Sequence, residues 1–485
     1  MSVSRTARDG RRTGRMMATA VMGWLAVAAL AGVAAAQDQA AAPVPVLTLD
    51  ECIRQALAGS PTLQISAQQR EIAAQNVRGA KGAFLPNLSL SYNWQKSERT
   101  DFDVAQSEAG TYSIPTTDPG ISVLFPTQVP SGEIADETVS ATYKSLGGRA
   151  TLNVFDGFAK YGNLRSAKHS LGAADATVGY TRERVVEDVV AAYYNLVRYE
   201  KLAEVAREAQ EQAARELERT ETYFRLGSAA KSDVLQQRVQ LGNTKLDVVV
   251  AENSIKKGQA DLAYAMNLPL QGSFAVDPTV LETDFAVADV TELYAEALRN
   301  RLDLQSSELA LEARRQDVKA ARGSLFPQVD VYGNYGRDNN ESPFKFGAQV
   351  SSSTSFGYSV SWNIFDRLQT YSGISRAKAS ARIAEYQLEQ ARLNAQVEIR
   401  QLHNALVEAR ERADVSRETI VQAEEGLRLA QERFRVGAGT ALDVIVAQVN
   451  LTTARAQEVQ AKVDFVIARS SLDRALGRRN AETGN

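Results

Sequence analysis

The sequence predicts a mainly α-helical chain that also carries two β-hairpins and is built as a tandem structural repeat. Three observations lead to this fold class. Short motifs return later in the chain in the same order, two long stretches (131–268 and 344–485) contain no proline, and apolar and polar residues alternate in two separate regions. The motifs indicate a duplication, the missing prolines permit long helices, and the alternation predicts strands.

Four motifs mark the two copies of the repeat. Gly82–Pro86 returns as Gly323–Pro327, Asn153–Asp156 as Asn363–Asp366, Phe224–Gly227 as Phe434–Gly437, and Asp233–Val234 as Asp443–Val444. The offset is 241 residues for the first motif and 210 residues for the other three. The first copy is therefore longer by about 31 residues, inserted between Pro86 and Asn153.

Charge and cysteine content exclude several classes of protein. Lys and Arg total 55 against 58 for Asp and Glu, a balance that gives no reason to expect a nucleic-acid partner. The one cysteine, Cys52, excludes an intramolecular disulfide and a cysteine-based zinc site. The chain has two histidines and no P-loop, dinucleotide-binding or nucleophile-elbow motif. We therefore predict no catalytic residue, no cofactor and no metal site, and the protein is not expected to be an enzyme.

The first 36 residues are typical of a secretory signal peptide. Basic residues such as Arg11 and Arg12 precede an apolar run, and Ala34, Ala35 and Ala36 fit the small-residue rule for cleavage. An uncleaved membrane anchor is the alternative, because the apolar run is almost long enough to span a membrane. The mature chain is expected to leave the cytoplasm.

After the signal peptide at 1–36, the first repeat is expected to cover 37–289 and the second 290–485. Each repeat should contain an opening helix, a β-hairpin, a very long helix and a return helix. We place the opening helices at about 50–81 and 290–322, the hairpins at 84–155 and 326–365, the long helices at about 157–222 and 367–432, and the return helices at about 233–266 and 442–476. The segment 267–289 is expected to link the repeats at mid-height, and a C-terminal tail ends the second repeat.

The expected helix lengths are matched to one another. Each long helix has about 66 residues and spans about 100 Å at 1.5 Å per residue. An opening helix of about 32 residues and a return helix of about 34 together equal one long helix. One long helix can therefore lie beside two stacked short helices and form a rod. Taken alone, the helices favour an ordinary long coiled coil.

Alternation in the hairpins gives each strand one apolar and one polar face. We assign five side chains to the apolar face and expect them to contact lipid: Leu90, Trp94, Tyr358, Val360 and Trp362. Alone, this alternation favours a half-buried sheet of a soluble protein. Strands of about 10–14 residues, aromatic residues near the strand ends and an export signal favour an outer-membrane β-barrel instead.

The number of strands predicts an oligomer. One chain supplies four strands, which cannot close a barrel, and an open sheet edge is not tolerated in lipid. Two chains would give eight strands with an interior filled by side chains, whereas three chains give twelve strands and room for a lumen. We therefore predict a trimeric 12-stranded β-barrel joined to a long α-helical barrel.

The ordered motifs resemble those of the TolC-like outer-membrane factor family, over about residues 47–477. The resemblance lies in the duplication, in the Phe-Leu-Pro-like starts of the hairpins, in the Asn-hydrophobic-Phe-Asp motifs that end them, and in the two Phe-Arg-hydrophobic-Gly turns. It implies an outer-membrane exit duct with a periplasmic helical extension, working in a tripartite efflux pump or a type I secretion system. The implied partners are a second and third copy of the chain, a periplasmic adaptor (membrane fusion protein), an inner-membrane transporter and outer-membrane lipid. A periplasmic structural coiled-coil protein without a channel is the alternative.

The resemblance also implies two kinds of site. The turns between long and return helices would meet the adaptor, and we assign this docking role to Leu226, Gly227, Ser228, Val436, Gly437 and Thr440. The alternative is that the glycines serve only to close the turns and that Ser228 and Thr440 are N-caps of the return helices.

Asp443 matches a family position whose carboxylates ring the closed periplasmic mouth, and Asp233 matches its counterpart in the gate network. The alternative is that both acids simply suit the positive end of a helix. The sequence departs from the family pattern at Val446, where some relatives carry a second acid, and at Gly439, where some carry a gating arginine.

Overall fold

The computed structural model describes residues 46–102, 110–111, 126–127, 136–269, 274–277, 289–341 and 349–478. The expected signal peptide at 1–36, much of the expected linker at 267–289 and the end of the C-terminal tail lie outside the described residues. The chain divides into two compact units. The turn unit comprises the described residues of Met1–Gln55, Val189–Asp284 and Val415–Val463, and the sheet unit those of Ala56–Asp188, Phe285–Asp414 and Asp464–Asn485.

The strands form one larger sheet and two small pairs. In chain order they are β1 (Val46–Leu47), β2 (Asn87–Phe102), β3 (Gly110–Thr111), β4 (Pro126–Thr127), β5 (Asp136–Phe155), β6 (Ala275–Val276), β7 (Gln328–Glu341) and β8 (Gln349–Ser361). The larger sheet has the order β2-β5-β7-β8 and is antiparallel throughout. β1 pairs with β6 in parallel, and β3 pairs with β4. Each expected hairpin therefore contributes two long strands, and β5 and β7 join the two hairpins.

The helices are long and come in matched pairs. They are α1 (Leu49–Gly59), α2 (Pro61–Gly82), α3 (Ala159–Arg225), α4 (Lys231–Ala265), α5 (Val290–Asn300), α6 (Leu302–Gly323), α7 (Gln369–Arg435) and α8 (Ala441–Ala475). Helices α3 and α7 have 67 residues each, and α4 and α8 have 35 each. These pairs confirm the predicted fold class of long helices and two hairpins in a tandem repeat. No helix within the described residues is both long and apolar enough to cross a membrane.

The two opening helices differ from the expectation, because each is divided into two. In the first copy the break lies at Ser60, whose hydroxyl accepts a hydrogen bond from the backbone N–H of Leu63 at 3.3 Å. Pro61 begins α2, where its missing N–H leaves no helical hydrogen bond unmade. In the second copy Arg301 has an extended backbone, with φ −64° and ψ 122°, and separates α5 from α6.

Ion pairs of the sheet unit hold the break at Arg301. Its guanidinium, almost fully buried, pairs with Asp303 at 2.8 Å and with Glu398 of α7 at 2.7 Å. It also donates to the carbonyl oxygen of Ala475 at the end of α8. Arg474 pairs with Glu398 as well and with Glu187 of α3. Because each buried charge has an opposite charge beside it, the desolvation cost of burial is offset, and four helices are joined at one point.

The turn unit has its own apolar core. Leu427, Val444 and Leu451 form a buried cluster between α7 and α8, and Phe434 packs against it. Elsewhere in this unit the phenol of Tyr193 is fully buried and accepts a hydrogen bond from the backbone N–H of Asp277 at 3.1 Å. The tyrosine thereby ties α3 to the chain that follows β6.

Candidate functional site

One face of the four-stranded sheet is apolar across all strands. Leu88 lies opposite Ala150, Ala150 opposite Gly333, and Gly333 opposite Phe356. The next rows on this face add Leu90, Tyr335, Val331, Tyr358, Val329 and Val360. Most of the large side chains in these rows are exposed in the single chain. A continuous exposed apolar face of this size needs a partner surface, either protein or lipid.

The opposite face of the sheet is polar. Asn153 donates to Asp330 at 2.9 Å, and Asn334 donates to Ser355 at 3.2 Å. The register places these side chains on alternate positions from the apolar rows. Tyr332 lies across Gly357, where an added Cβ would stand 3.0 Å from the tyrosine hydroxyl. The apolar face thus has the composition expected of a surface that contacts lipid, and the polar face has the composition expected of a surface that lines a water-filled lumen.

The five side chains assigned to the lipid-facing side are all largely exposed in the single chain. Leu90, Tyr358 and Val360 lie within the apolar rows, and Trp94 lies opposite Lys144 farther along the same face. Trp362 lies just past the strand, because β8 ends at Ser361 and the expected hairpin extended to 365; its contact with lipid stays a prediction. Its indole N–H donates to the carbonyl oxygen of Leu325 at 3.1 Å. This bond fixes the ring near the start of β7 while its apolar part stays exposed.

The first helix turn ends α3 with a glycine in the left-handed region. Gly227 has φ +79°, and its N–H donates to the carbonyl oxygen of Phe224 at 3.0 Å. The N–H of Ser228 donates to Tyr223 at 2.9 Å, which completes a Schellman motif. Ser228 also donates its hydroxyl to the Tyr223 oxygen. It therefore closes the end of α3, and the alternative that it caps α4 is wrong, since α4 is capped at Ala230.

The second helix turn repeats this geometry 210 residues later. Gly437 has φ +73° and donates to Phe434 at 3.1 Å, and Ala438 donates to Arg433 at 2.8 Å. The turns meet through their aromatic residues, since the rings of Tyr223 and Phe434 lie 6.1 Å apart. At the ends of the turns Leu226 is 75% exposed and Val436 is 63% exposed. Leu226 and Val436 are therefore free to contact a partner, on turns whose backbone path depends on the two glycines.

Both candidate gate acids occupy the start of a return helix. The Asp443 carboxylate accepts from the backbone N–H and the hydroxyl of Thr440, at 2.8 and 2.9 Å, and the Thr440 hydroxyl accepts from the N–H of Asp443. This reciprocal capping box is the structural role considered for Thr440. The two donated bonds hold the pKa of the Asp443 carboxyl below its usual value. Asp233 accepts from the N–H of Ala230 at 3.0 Å.

The departures from the family pattern have different surroundings. Val446 is half exposed on α8, one helical turn from Asp443. Gly439 lies close to the preceding helix, and a Cβ built there would stand 3.1 Å from the Cβ of Arg433. A side chain at position 439 would therefore require Arg433 to shift by a few tenths of an ångström.

A buried polar layer of the turn unit was not expected from the sequence. Glu216 is only 3% exposed, accepts from the amide of Gln431 at 2.7 Å and pairs with Arg219 at 3.0 Å. Burial raises the pKa of its carboxyl, against the opposing effects of Arg219 and Gln431. The buried Gln237 and Gln448 have amide atoms without hydrogen-bond partners among the described residues. Long polar residues at positions that face the core of a helix pair are the sequence signal for such a layer.

Comparison with known proteins covers both repeats. The family model described as outer membrane efflux protein matches residues 52–268 and 293–478. The outer membrane protein TolC of Vibrio cholerae serotype O1 is 23% identical over 438 residues, which is 88% of this chain and 90% of the relative. TolC of Escherichia coli K12 is also 23% identical, over 90% of this chain and 83% of the relative.

Solved structures show the same fold. The outer membrane protein VceC of Vibrio cholerae has a TM-score of 0.69 at 18% identity and covers 88% of this chain and 96% of its own. The outer membrane channel CmeC of Campylobacter jejuni has a TM-score of 0.70 at 18% identity, over 89% of this chain and 85% of its own. The family match confirms the resemblance inferred from the motifs, the solved structures show the same fold, and none of them supports a periplasmic coiled-coil protein without a channel. The chain therefore belongs to the outer membrane efflux protein family, and it is an outer-membrane exit duct rather than an enzyme.

Proposed function

We propose that three copies of this chain close one 12-stranded barrel and form the exit duct of a tripartite efflux pump or a type I secretion system. The observation that carries the proposal is the four-stranded sheet with one apolar and one polar face. Within the described residues, β2 and β8 each have a neighbour on one side only. In lipid, their remaining backbone N–H and C=O groups must be paired, because each unpaired group costs several kcal/mol.

Pairing β8 of one protomer with β2 of the next satisfies both edges. Two protomers would close a barrel filled by side chains, whereas three give a lumen that the polar face lines. Asn153, Asp330 and Asn334 then face water, and Leu90, Tyr358 and Val360 face lipid. The duct takes its substrate from the periplasmic side and releases it outside the cell.

The two helix turns are proposed as the docking surface for the periplasmic adaptor, which connects the duct to an inner-membrane transporter. Leu226 and Val436 supply the apolar contacts, and the left-handed glycines Gly227 and Gly437 keep both turns short. Ser228 and Thr440 complete the surface with polar groups. Support comes from the exposure of the two apolar side chains and from the contact between the rings of Tyr223 and Phe434, which are tilted by 59° and join the two turns.

Asp443 is proposed to line the periplasmic mouth of the duct, with Asp233 as part of the latch between helix pairs. Asp443 can cap the start of α8 and line the mouth at the same time. The carboxylate accepts from Thr440 and remains solvent-exposed, so its charge can act on ions near the mouth. Three such carboxylates around an axis attract cations.

Mass determination of the purified protein in detergent tests the assembly. We expect three chains per particle, together with channels of stable conductance when the same particles are added to a planar bilayer. A particle of one or two chains that keeps its strands would contradict the barrel of three protomers. Trimers without conductance would contradict the role as a duct.

A further inference from the structure

A cleft of about 340 Å³ lies in the sheet unit, between the first turns of α3 and the second half of α6. Six residues line it: Phe158, Tyr161, Gly162, Arg165, Gln316 and Lys319. The residues of α3 follow a spacing of three or four, so they share one side of the helix. Gly162 lets the helices approach closely, since a Cβ there would stand 2.9 Å from the Cβ of Ala320.

The aromatic wall of the cleft continues the apolar face of the sheet. Phe158 follows the end of β5 with φ 67°, and its ring stands edge to face on Phe155 at 5.4 Å. Phe155 lies opposite Val329, and Val329 lies opposite Val360 in the apolar row nearest the start of β7. Tyr161 is in edge contact with Phe84 at 5.1 Å and carries the aromatic surface onto α3. The cleft therefore opens beside the sheet edge nearest the helices, on its apolar side.

The remaining wall is polar, and its charged side chains have no ion-pair partner among the described residues. Arg165 and Lys319 are exposed, and neither forms an ion pair within the described part of the chain. Gln316 is 6% exposed, and its side-chain oxygen is buried with no hydrogen-bond donor among the described residues. A buried acceptor without a donor is destabilising, so such a group calls for a ligand or a water molecule. The aromatic cleft is therefore lined by two positively charged side chains, Arg165 and Lys319, and by the hydrogen-bond acceptor of Gln316.

We propose that this cleft binds the headgroup of a membrane phospholipid that carries a phosphate and a primary amine, in the leaflet next to the helices. The phosphate is held by Arg165 and Lys319 through charge-assisted hydrogen bonds. The ammonium donates to the Gln316 amide and lies against the rings of Phe158 and Tyr161. The acyl chains then run along the apolar face of the sheet. The site rests on the proposed function, because it requires this face to lie in lipid.

Lipid retention by the intact oligomer tests the site. The protein is delipidated in detergent and titrated with phosphatidylethanolamine, and bound lipid is counted by native mass spectrometry. The double variant Arg165→Gln, Lys319→Gln is expected to bind the lipid about tenfold more weakly or worse, since it loses two charge-assisted contacts. Lys168→Gln is the matched control: it removes an exposed cation one turn further along α3 that does not line the cleft, and its binding should match the wild type.

Three further ligands test the phosphate, acyl-chain and amine contacts one at a time. Diacylglycerol, which has no phosphate, should bind the wild type and the double variant alike and weakly. Glycerophosphoethanolamine, which has no acyl chains, should not displace the bound lipid at equal concentration. Gln316→Leu should retain phosphatidylglycerol but lose the preference for the amine-bearing lipid. Undiminished phosphatidylethanolamine binding by the double variant would overturn the site.

The proposed function has a separate readout. If wild-type particles are trimers that conduct while the double variant retains its lipid, the headgroup site alone is wrong. If wild-type particles neither assemble nor conduct, the proposed function is wrong, whatever lipid they carry.

Discussion

Asp443 combines a helix-start contact with a proposed effect on ions, and the two can be separated by substitution. Asparagine keeps the size and an accepting oxygen for the Thr440 N–H but removes the charge. Asp443→Asn should therefore fold normally, while channels in a planar bilayer lose cation preference and block by polyvalent cations added from the periplasmic side. Asp443→Arg should weaken or reverse the preference.

Asp233→Asn serves as the control for Asp443, since it removes the equivalent acid of the first copy. It is expected to raise the open probability instead of changing ion selectivity. If Asp443→Asn channels keep the ion selectivity and the cation block of the wild type, Asp443 serves only to cap its helix.

Glu216 should make the turn unit pH-sensitive, because burial raises the pKa of its carboxyl in the folded state. Between the unfolded and the folded pKa the folded chain binds more protons, so stability falls as pH rises through that window. Glu216→Gln keeps an acceptor for Gln431 and abolishes this titration. The variant should unfold at a higher temperature than the wild type at about pH 8, and the difference should shrink toward about pH 3, where the carboxyl is mostly protonated in both the folded and the unfolded state.

A matched control for Glu216 is available on the same helix. Glu211 is exposed and pairs with Arg215 on the surface, so Glu211→Gln should change the unfolding temperature little at either pH. Calorimetry measures the unfolding temperature of each protein as a function of pH. The same pH dependence for the wild type and Glu216→Gln would contradict a raised pKa at this position.

At the scale of elements, the strand β8 offers the sharpest contrast between neighbouring residues. Phe356 lies opposite Gly333 on the apolar face, and Ser355 lies opposite Asn334 on the polar face. Phe356→Arg places a charge against lipid near the middle of β8 and should destabilise the inserted barrel by about 2–4 kcal/mol, whereas the same change at Val360, beside the helices, should cost less. Ser355→Arg should insert with little loss, because that side chain faces the lumen.

Protease protection of outer membranes and the yield of folded trimer measure both β8 variants. Equal losses for the two substitutions would show that the assigned faces are reversed or mixed, since the register alternates at every residue.

The long elements were predictable from sequence, because their causes are local. Absence of proline permits α3 and α7, the glycines at 227 and 437 end them, and alternation fixes which side of each strand is apolar. The break at Ser60 also has a local sign in Pro61. The break at Arg301 has none, because it depends on Glu398 and the Ala475 carbonyl, which are distant in sequence.

The candidate site was predictable in part. The turns and the helix-start acids follow from repeated motifs, and the capping contacts of Asp443 suit its position at the start of α8. The polar layer around Glu216 and the cleft beside Gln316 could not be read in advance, since burial of a glutamine or glutamate depends on which helices pack together. The sequence also did not show that β8 ends before Trp362, because the indole of Trp362 donates to the carbonyl oxygen of Leu325, which is distant in sequence.

At the scale of the whole molecule, the two open edges of the sheet make strand formation in lipid depend on assembly. We expect the trimer to survive electrophoresis in dodecyl sulfate without heating and to dissociate on heating. The strand signal in circular dichroism should vanish over the same temperature range, because a protomer cannot keep unpaired edges in an apolar medium. Monomers that appear while the strand signal persists would contradict this coupling.

The same two edges have a genetic consequence. Each chain in a closed ring contributes to two seams, one through β2 and one through β8, so one defective chain opens a ring that contains normal ones. In a cell that makes both kinds of chain, mixed rings would outnumber wholly normal ones. A lesion confined to an edge strand should therefore be dominant over the normal allele, whereas a lesion that prevents the chain from being made should be recessive.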